Sequence, residues 1–149
     1  MTAETRQTMD NEGQIRELID ALAAAEAAKD VEGSVAPYAT DVVSYDLINP
    51  LQYNGVDTIR KRLDQWFSSF EGPIEIEFRD PVISAGDDVA FCHGLHHVNG
   101  TKTDGTKLEM WWRTTLCLRK IDAKWTITHS HDSVPFNMEN NMASFDLKP

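Results

Sequence analysis

The chain has 149 residues, 24 acidic against 14 basic, and a formal net charge of -10. That length fits one domain with room for a sizeable core, and an acidic chain with no basic stripe is a poor partner for nucleic acid or an anionic membrane. Residues 1–13 are polar, so they read as neither signal peptide nor anchor, and no apolar run reaches membrane-spanning length.

Residues 1–11 read as a flexible arm, 12–136 as the single domain and 137–149 as a C-terminal tail. The spacing of Ile15, Leu18, Ile19 and Leu22 predicts a helix over 12–29 with a face of alanines. Asp30 fits the N-cap of a short second helix carrying Val31, Val35 and Tyr38. Val42, Val43 and Tyr45 favour a strand, on which Ser44 and Asp46 share one face. Pro50 and Asn54-Gly55 mark the following segment as a loop. A third helix over 56–70 aligns Ile59, Leu63, Trp66, Phe67 and Phe70 on one stripe, and Gly72-Pro73 ends it.

Strands follow. Ile74, Ile76 and Phe78 alternate with charged residues, and Pro81 predicts a bulge or an edge position. Further strands cover 89–98, 108–121 and 124–134, with turn signals at Gly86-Asp87-Asp88, Asn99-Gly100, Asp104-Gly105 and Asp122-Ala123. Helices first and strands afterwards predict an α+β domain, three N-terminal helices packed on a strongly curved antiparallel β-sheet. Cys92 and Cys117 fall in strands and read as buried free thiols of a cytoplasmic protein.

Asp46 is the first candidate for chemistry. It stands where a strand gives way to a loop, beside the aromatic stripe of the third helix. A carboxylate among apolar groups is costly to keep charged, which raises its pKa and makes it a proton acceptor. The same residue also reads as a solvated carboxylate at a strand end. In the strand from Val89, parity groups Phe91, His93, Leu95 and His97 on one face, a mixture of apolar bulk and imidazole that suits a pocket wall. Cys92, His96 and Val98 fall on the other face. Of Trp111 and Trp112 only one can line a cavity, and Trp112 does so if Leu116 shares that face. In the closing strand, parity separates Thr128, Ser130 and Asp132 from Ile127, His129 and His131. A single β-bulge would invert that assignment. His129-x-His131 alone does not make a metal site, which needs three or four converging ligands, so no metal is expected.

The run Tyr38-Ala-Thr-Asp41, the strand ending at Asp46, Gly55 with its helix, and Lys124-Trp-Thr-Ile-Thr-His-Ser-His-Asp-Ser133 resemble the SnoaL-like and ketosteroid isomerase-like proteins. These belong to the nuclear transport factor two-like superfamily, and the likeness covers roughly residues 12 to 136. It implies a cone-shaped domain with an apolar cavity. In ketosteroid isomerase the counterpart of Asp46 shuttles a proton, whereas the two oxyanion donors of that enzyme fall here at about Leu22 and near Thr114 or Thr115, so steroid isomerisation is not expected. Alignment with the association domain of calcium/calmodulin-dependent kinase gives His93 and Trp66 pocket positions, and alignment with that domain and with ketosteroid isomerase turns Thr128, Ser130 and Asp132 inward.

The implied activity is that of a cofactor-independent isomerase, cyclase or dehydratase, abstracting a proton next to a carbonyl on a cyclic or aromatic substrate. Asp46, His93 and Asp132 are its candidate catalytic residues. Tyr53, Trp66, Phe70, Leu95, His97 and Trp112 are its candidate substrate contacts. The alternative is a non-catalytic ligand-binding or oligomerisation module. The outer sheet face, expected to carry Cys92, His96, Val98, Cys117, Ile127 and His129, is too apolar for free solvent and predicts a homodimer.

Overall fold

A computed structural model describes residues 2–149, and the side chains of all of these except residues 4–9. Helix α1 spans Ala3–Ala27, α2 Val31–Val35 and α3 Val56–Ser68; the strands are β1 Tyr38–Tyr45, β2 Tyr53–Asn54, β3 Phe70–Ala85, β4 Val89–Lys102, β5 Lys107–Ile121 and β6 Lys124–Ser133. Helix α1 thus begins well before residue 12. Asn11 is fully buried in it, donating to the carbonyl of Gly86 and accepting from Lys120 Nζ.

Ile15, Ile19 and Leu22 form the buried stripe of α1 and pack on Ala90, Cys92, Leu116, Leu118, Trp125 and Ile127 of the sheet. Each such side chain contributes roughly 1.5–3 kcal/mol when fully buried. Asp30 caps α2 by accepting from the Gly33 amide, as its position before a helical turn predicts. Tyr38 belongs to β1 rather than to α2. Gly55 stands at φ 86°, a conformation that favours glycine, and opens α3.

The sheet has the order β2-β1-β6-β5-β4-β3. All neighbours are antiparallel except β1 and β6, which run parallel, so the sheet is mixed rather than antiparallel throughout. Hydrophobic alternation reports which face of a strand is buried but not the direction of a partner some eighty residues away. Residues 99 and 100 continue β4 instead of turning the chain; the turn lies at residues 103–106, with Gly105 at φ 87°. Asp122 and Ala123, both at positive φ, make the tight hairpin between β5 and β6. At Pro81 the register slips between Arg79 and Val82, and β3 is also a sheet edge.

Two register features decide what reaches the interior. Between β5 and β6, Cys117 faces His129 but Leu118 faces Ile127, so Thr128 is the extra residue of a bulge. Ile127 and Ser130 therefore both point inward, and Ile127 is core rather than outer surface. In β4 the face buried under the helices carries Ala90, Cys92, Gly94, His96 and Val98, which is the reverse of the expected parity. The small residues set this choice: a Cβ on Gly94 would lie 2.7 Å from the Phe78 ring and 2.9 Å from the Arg79 carbonyl oxygen. Gly94→Ala is therefore expected to lower stability by about 1–3 kcal/mol, read as an earlier urea midpoint at unchanged slope.

Candidate functional site

Between α1, α3 and the concave face of the sheet lies a cavity of about 260 Å³. An engineered cavity of roughly 150 Å³ holds benzene and drug-sized ligands occupy roughly 300–1,000 Å³, so this space suits one or two rings. Its walls are mostly apolar, from Ile19, Leu22, Leu63, Trp66, Phe78, Leu108, Met110 and Leu116. Polar groups enter from six elements: Glu26 from α1, Tyr38 and Ser44 from β1, Arg62 from α3, His96 from β4, Thr114 from β5, and Ser130 and Asp132 from β6. Ile48 and Phe145, both exposed, form part of the rim.

Asp132 is the best-supported polar group. Its Oδ1 accepts from the Thr114 hydroxyl at 2.6 Å and from Trp112 Nε1 at 3.2 Å, and both bonds fall on that one oxygen. Burial pushes its pKa up to about 7; the Thr114 bond opposes this, and the charge of Asp46 adds to it. Thr114 is also 2.6 Å from His96 Nδ1. With the Thr114 hydrogen given to Asp132, His96 must carry its proton on Nδ1 and donate to Thr114. The imidazole is stacked between Phe78, at 4.3 Å and 3°, and Trp112, at 5.2 Å and 11°. Burial lowers its pKa to about 4, so it is neutral at physiological pH.

Glu26 continues the stripe Ile15, Ile19, Leu22 by one more helical step, which carries its carboxyl into the cavity. Burial, then the charge of Asp132, raises its pKa to about 8. Burial likewise drives the Tyr38 phenol upward, with Glu26, Asp132 and Asp46 adding to the effect, so its hydroxyl stays protonated. Both residues front the same space.

Asp46 follows the end of β1 and lines the cavity, but not as a carboxylate among apolar groups. Its Oδ2 accepts from Arg62 Nε at 3.1 Å and its Oδ1 from the Leu47 amide at 2.6 Å, with each side chain of the ion pair about 20% exposed. Tyr53, Trp66 and Trp112 line the cavity. Phe70 does not: it is buried beneath Gly100, whose missing side chain leaves room for its ring, and it meets Trp66 edge to face.

The inverted parity of β4 removes three further candidates from the interior. His93 is exposed on the outer sheet face opposite Thr115. Leu95 is half-buried on that same face, opposite Arg113 and Arg79. His97 is there too, stacked on Trp111 and 3.3 Å from Glu109. His129 and His131 also lie on that face against Tyr45, and His129 Nδ1 is 2.7 Å from the Val43 carbonyl. Among the described residues no three metal-ligating side chains converge.

The residues missed in the sequence, Glu26 and His96, each carried a signal. Glu26 is the acid that falls on an otherwise apolar helical stripe. His96 shares its face with Ala90, Cys92 and Gly94, whose small size marks the close-packed side.

The profile of the SnoaL-like domain family matches residues 15–137, so the chain belongs to that family. Among solved structures it is similar to a nuclear transport factor two-like protein of unknown function from Pseudomonas putida, at 31% identity and TM-score 0.85, covering 95% of this chain and 98% of that one. It shares its fold with a protein proposed to be a scytalone dehydratase from Novosphingobium aromaticivorans, at 13% identity and TM-score 0.77 over 86% of each chain. A nuclear transport factor two-like superfamily protein from Salmonella enterica aligns at 16% identity and TM-score 0.77, over 88% of this chain and 95% of that one. No curated protein matches the sequence. No helix is long and apolar enough to cross a membrane among the described residues.

The two raised carboxyls make stability depend on pH in a definite sense. Their protons are held more tightly in the folded than in the unfolded state, from ordinary values of 4.5 for Glu26 and 3.8 for Asp132. Their contribution is whole below the ordinary range and is lost as pH rises through about 7 and about 8. The double variant Glu26→Gln, Asp132→Asn should melt several degrees above the native protein in alkaline buffer and gain nothing in mildly acidic buffer, as measured by calorimetry.

Proposed function

We propose that the protein is a proton-transfer enzyme of the isomerase, cyclase or dehydratase kind, acting on a small cyclic or aromatic substrate. The observation that carries this reading is the Asp132 carboxyl: anchored through Oδ1, open at Oδ2, facing an apolar cavity, and half-ionised near pH 7. A base works best when its pKa lies near the operating pH. Asp132 takes the proton next to the substrate carbonyl, in place of the Asp46 expected from the sequence. Asp46 instead holds Arg62 at the cavity wall. Trp66, Trp112 and Tyr53 shape the substrate, and an acid and a base suffice for this chemistry without a cofactor. The dehydratase-like neighbour supports the reading at the level of fold alone.

Thermal-shift screening of aromatic and polyketide-like ketones supplies a substrate, because a ligand that binds only the folded state raises the melting temperature. On it, Asp132→Asn is expected to lower kcat by about 10²–10⁴-fold with binding retained. Asp46→Asn is expected to raise KM with a loss in kcat of about tenfold or less. His93→Ala, altered on the outer face, should change neither. Full turnover by Asp132→Asn would remove it as the base. A change confined to affinity, with no ketone turned over, would favour the ligand-binding module.

The second reading concerns assembly. The outer sheet face exposes Val82 at 52%, Phe91 at 48% and Tyr45 at 38%, next to His93 and His131. We propose that this face pairs two copies into a homodimer, in a cytoplasmic setting that suits free Cys92 and Cys117. Light scattering at micromolar concentration should give twice the chain mass; a single-chain mass would contradict it, and Phe91→Glu should produce that single-chain mass.

A further inference from the structure

We propose that Glu26 is the proton donor of this cavity, its uncharged carboxylic acid giving a hydrogen bond or a proton to a ligand oxygen, so that the site takes neutral ring ketones and alcohols and rejects carboxylates and phosphates. This rests on the reading of Asp132 as the base.

Glu26 reaches the cavity from α1, one helical step beyond Leu22. Glu26 is half-buried, and among the described residues no hydrogen-bond donor and no cation is paired with its carboxyl. An acid facing apolar walls without a partner is costly when ionised, so it keeps its proton. The groups that face it agree. The charge of Asp132 from β6 opposes a second negative charge on Glu26, the Tyr38 phenol beside it stays protonated, and the Asp46 carboxyl after β1 borders the same cavity. The Arg62 guanidinium from α3 is engaged by Asp46, and His96 from β4 is neutral. On α1 itself, Lys29 Nζ is turned away to the Phe70 carbonyl.

Two carboxyls with unequal proton affinity in one cavity divide the labour of a proton transfer. Burial raises both carboxyls and the charge of Asp132 opposes ionisation of Glu26, so the pair titrates as a unit and keeps one proton near neutrality. In a dehydration, Asp132 Oδ2 takes the C–H proton and the freed electron pair forms the C=C bond. The C–O bond breaks onto oxygen, which takes the Glu26 proton and leaves as water. Glu26 ends as carboxylate and Asp132 as acid, and exchange of one proton with solvent at each resets the site. In an isomerisation the same Glu26 hydrogen bond holds the enolate oxygen while Asp132 returns its proton to another carbon.

The cavity also sets the ligand charge. Among the described residues three carboxyls border it against the single Arg62 guanidinium, which already meets Asp46 through Nε, so an anionic ligand would be buried in a site of its own sign. A neutral oxygen, by contrast, meets two donors, Glu26 and the Tyr38 hydroxyl.

The test reads binding and titration rather than turnover, so it stands apart from the Asp132 experiment. The probes are 1-tetralone, a neutral aromatic ketone, and 1-naphthoate, its carboxylate counterpart, followed by quenching of the tryptophans at the cavity. Tetralone should bind the native protein near neutrality and weaken about tenfold as Glu26 ionises in alkaline buffer. Glu26→Gln should bind it about equally across that range, since an amide donates but does not titrate. Glu26→Leu should bind about tenfold more weakly throughout. Naphthoate should bind none of the three. In the unaltered protein, carbon-13 NMR of the glutamate carboxyls should show one resonance titrating near 8, absent in Glu26→Gln. Titration of Glu26 in the ordinary glutamate range, tetralone binding that is absent or independent of pH, or naphthoate binding as tightly as tetralone would each overturn the proposal. Failure of the Asp132→Asn experiment alone would leave Glu26 as a ligand donor and remove only its partner in catalysis.

Discussion

The Asp132 carboxyl sits in a space that water only partly reaches, and the surrounding architecture follows from the need to support it there. Its Oδ1 takes two hydrogen bonds from β5, one from the Thr114 hydroxyl and one from the Trp112 indole. Those donors must lie on the same face of β5, two residues apart, as the period of a strand provides. Thr114 in turn meets His96 on β4, and the imidazole is fixed by its stacking between Phe78 and Trp112. Three neighbouring strands and the edge strand β3 therefore converge on one oxygen atom. A buried polar chain of this kind is stable only when each member is satisfied, which constrains all four strands in register.

Register is in turn set by small local features. The extra residue Thr128 lets Ile127 close the core beneath α1 while Ser130 and Asp132, further along the same strand, still face the cavity. Without it, one of those two sets would point to the outer face. Gly94 makes the complementary adjustment in β4, where its missing side chain admits the Phe78 ring that stacks on His96. The apolar walls and the polar chain are thus products of the same bulge and the same glycine.

The two ends of the cavity differ in electrostatic character. Asp46 and Arg62 form a partly exposed ion pair whose net charge is small and whose worth to stability is modest. For Glu26 and Asp132 burial is the leading influence on protonation, with Arg62 only a minor opposing one on Asp132. Two acids that the sequence offers as catalytic candidates are separated by what surrounds them: Asp46 by an arginine, Asp132 by a threonine, an indole and apolar walls.

The sequence by itself determined the family, the succession of helices and strands, the Asp30 cap and the irregularity at Pro81. These follow from local periodicity, turn chemistry and a characteristic closing strand, each legible within a few residues. Only the tertiary structure decided the parallel pairing of β1 with β6, the face of β4 that turns inward, and the company of each acid. His93, Leu95 and His97 looked like a pocket wall because bulk and imidazole alternate there. The small residues opposite them are the ones the helices approach. Parity assigns residues to two faces but does not name the buried one. That choice is made by the volumes that must fit against another element, here Phe78 and α1, and such volumes are fixed only when distant parts of the chain pack together.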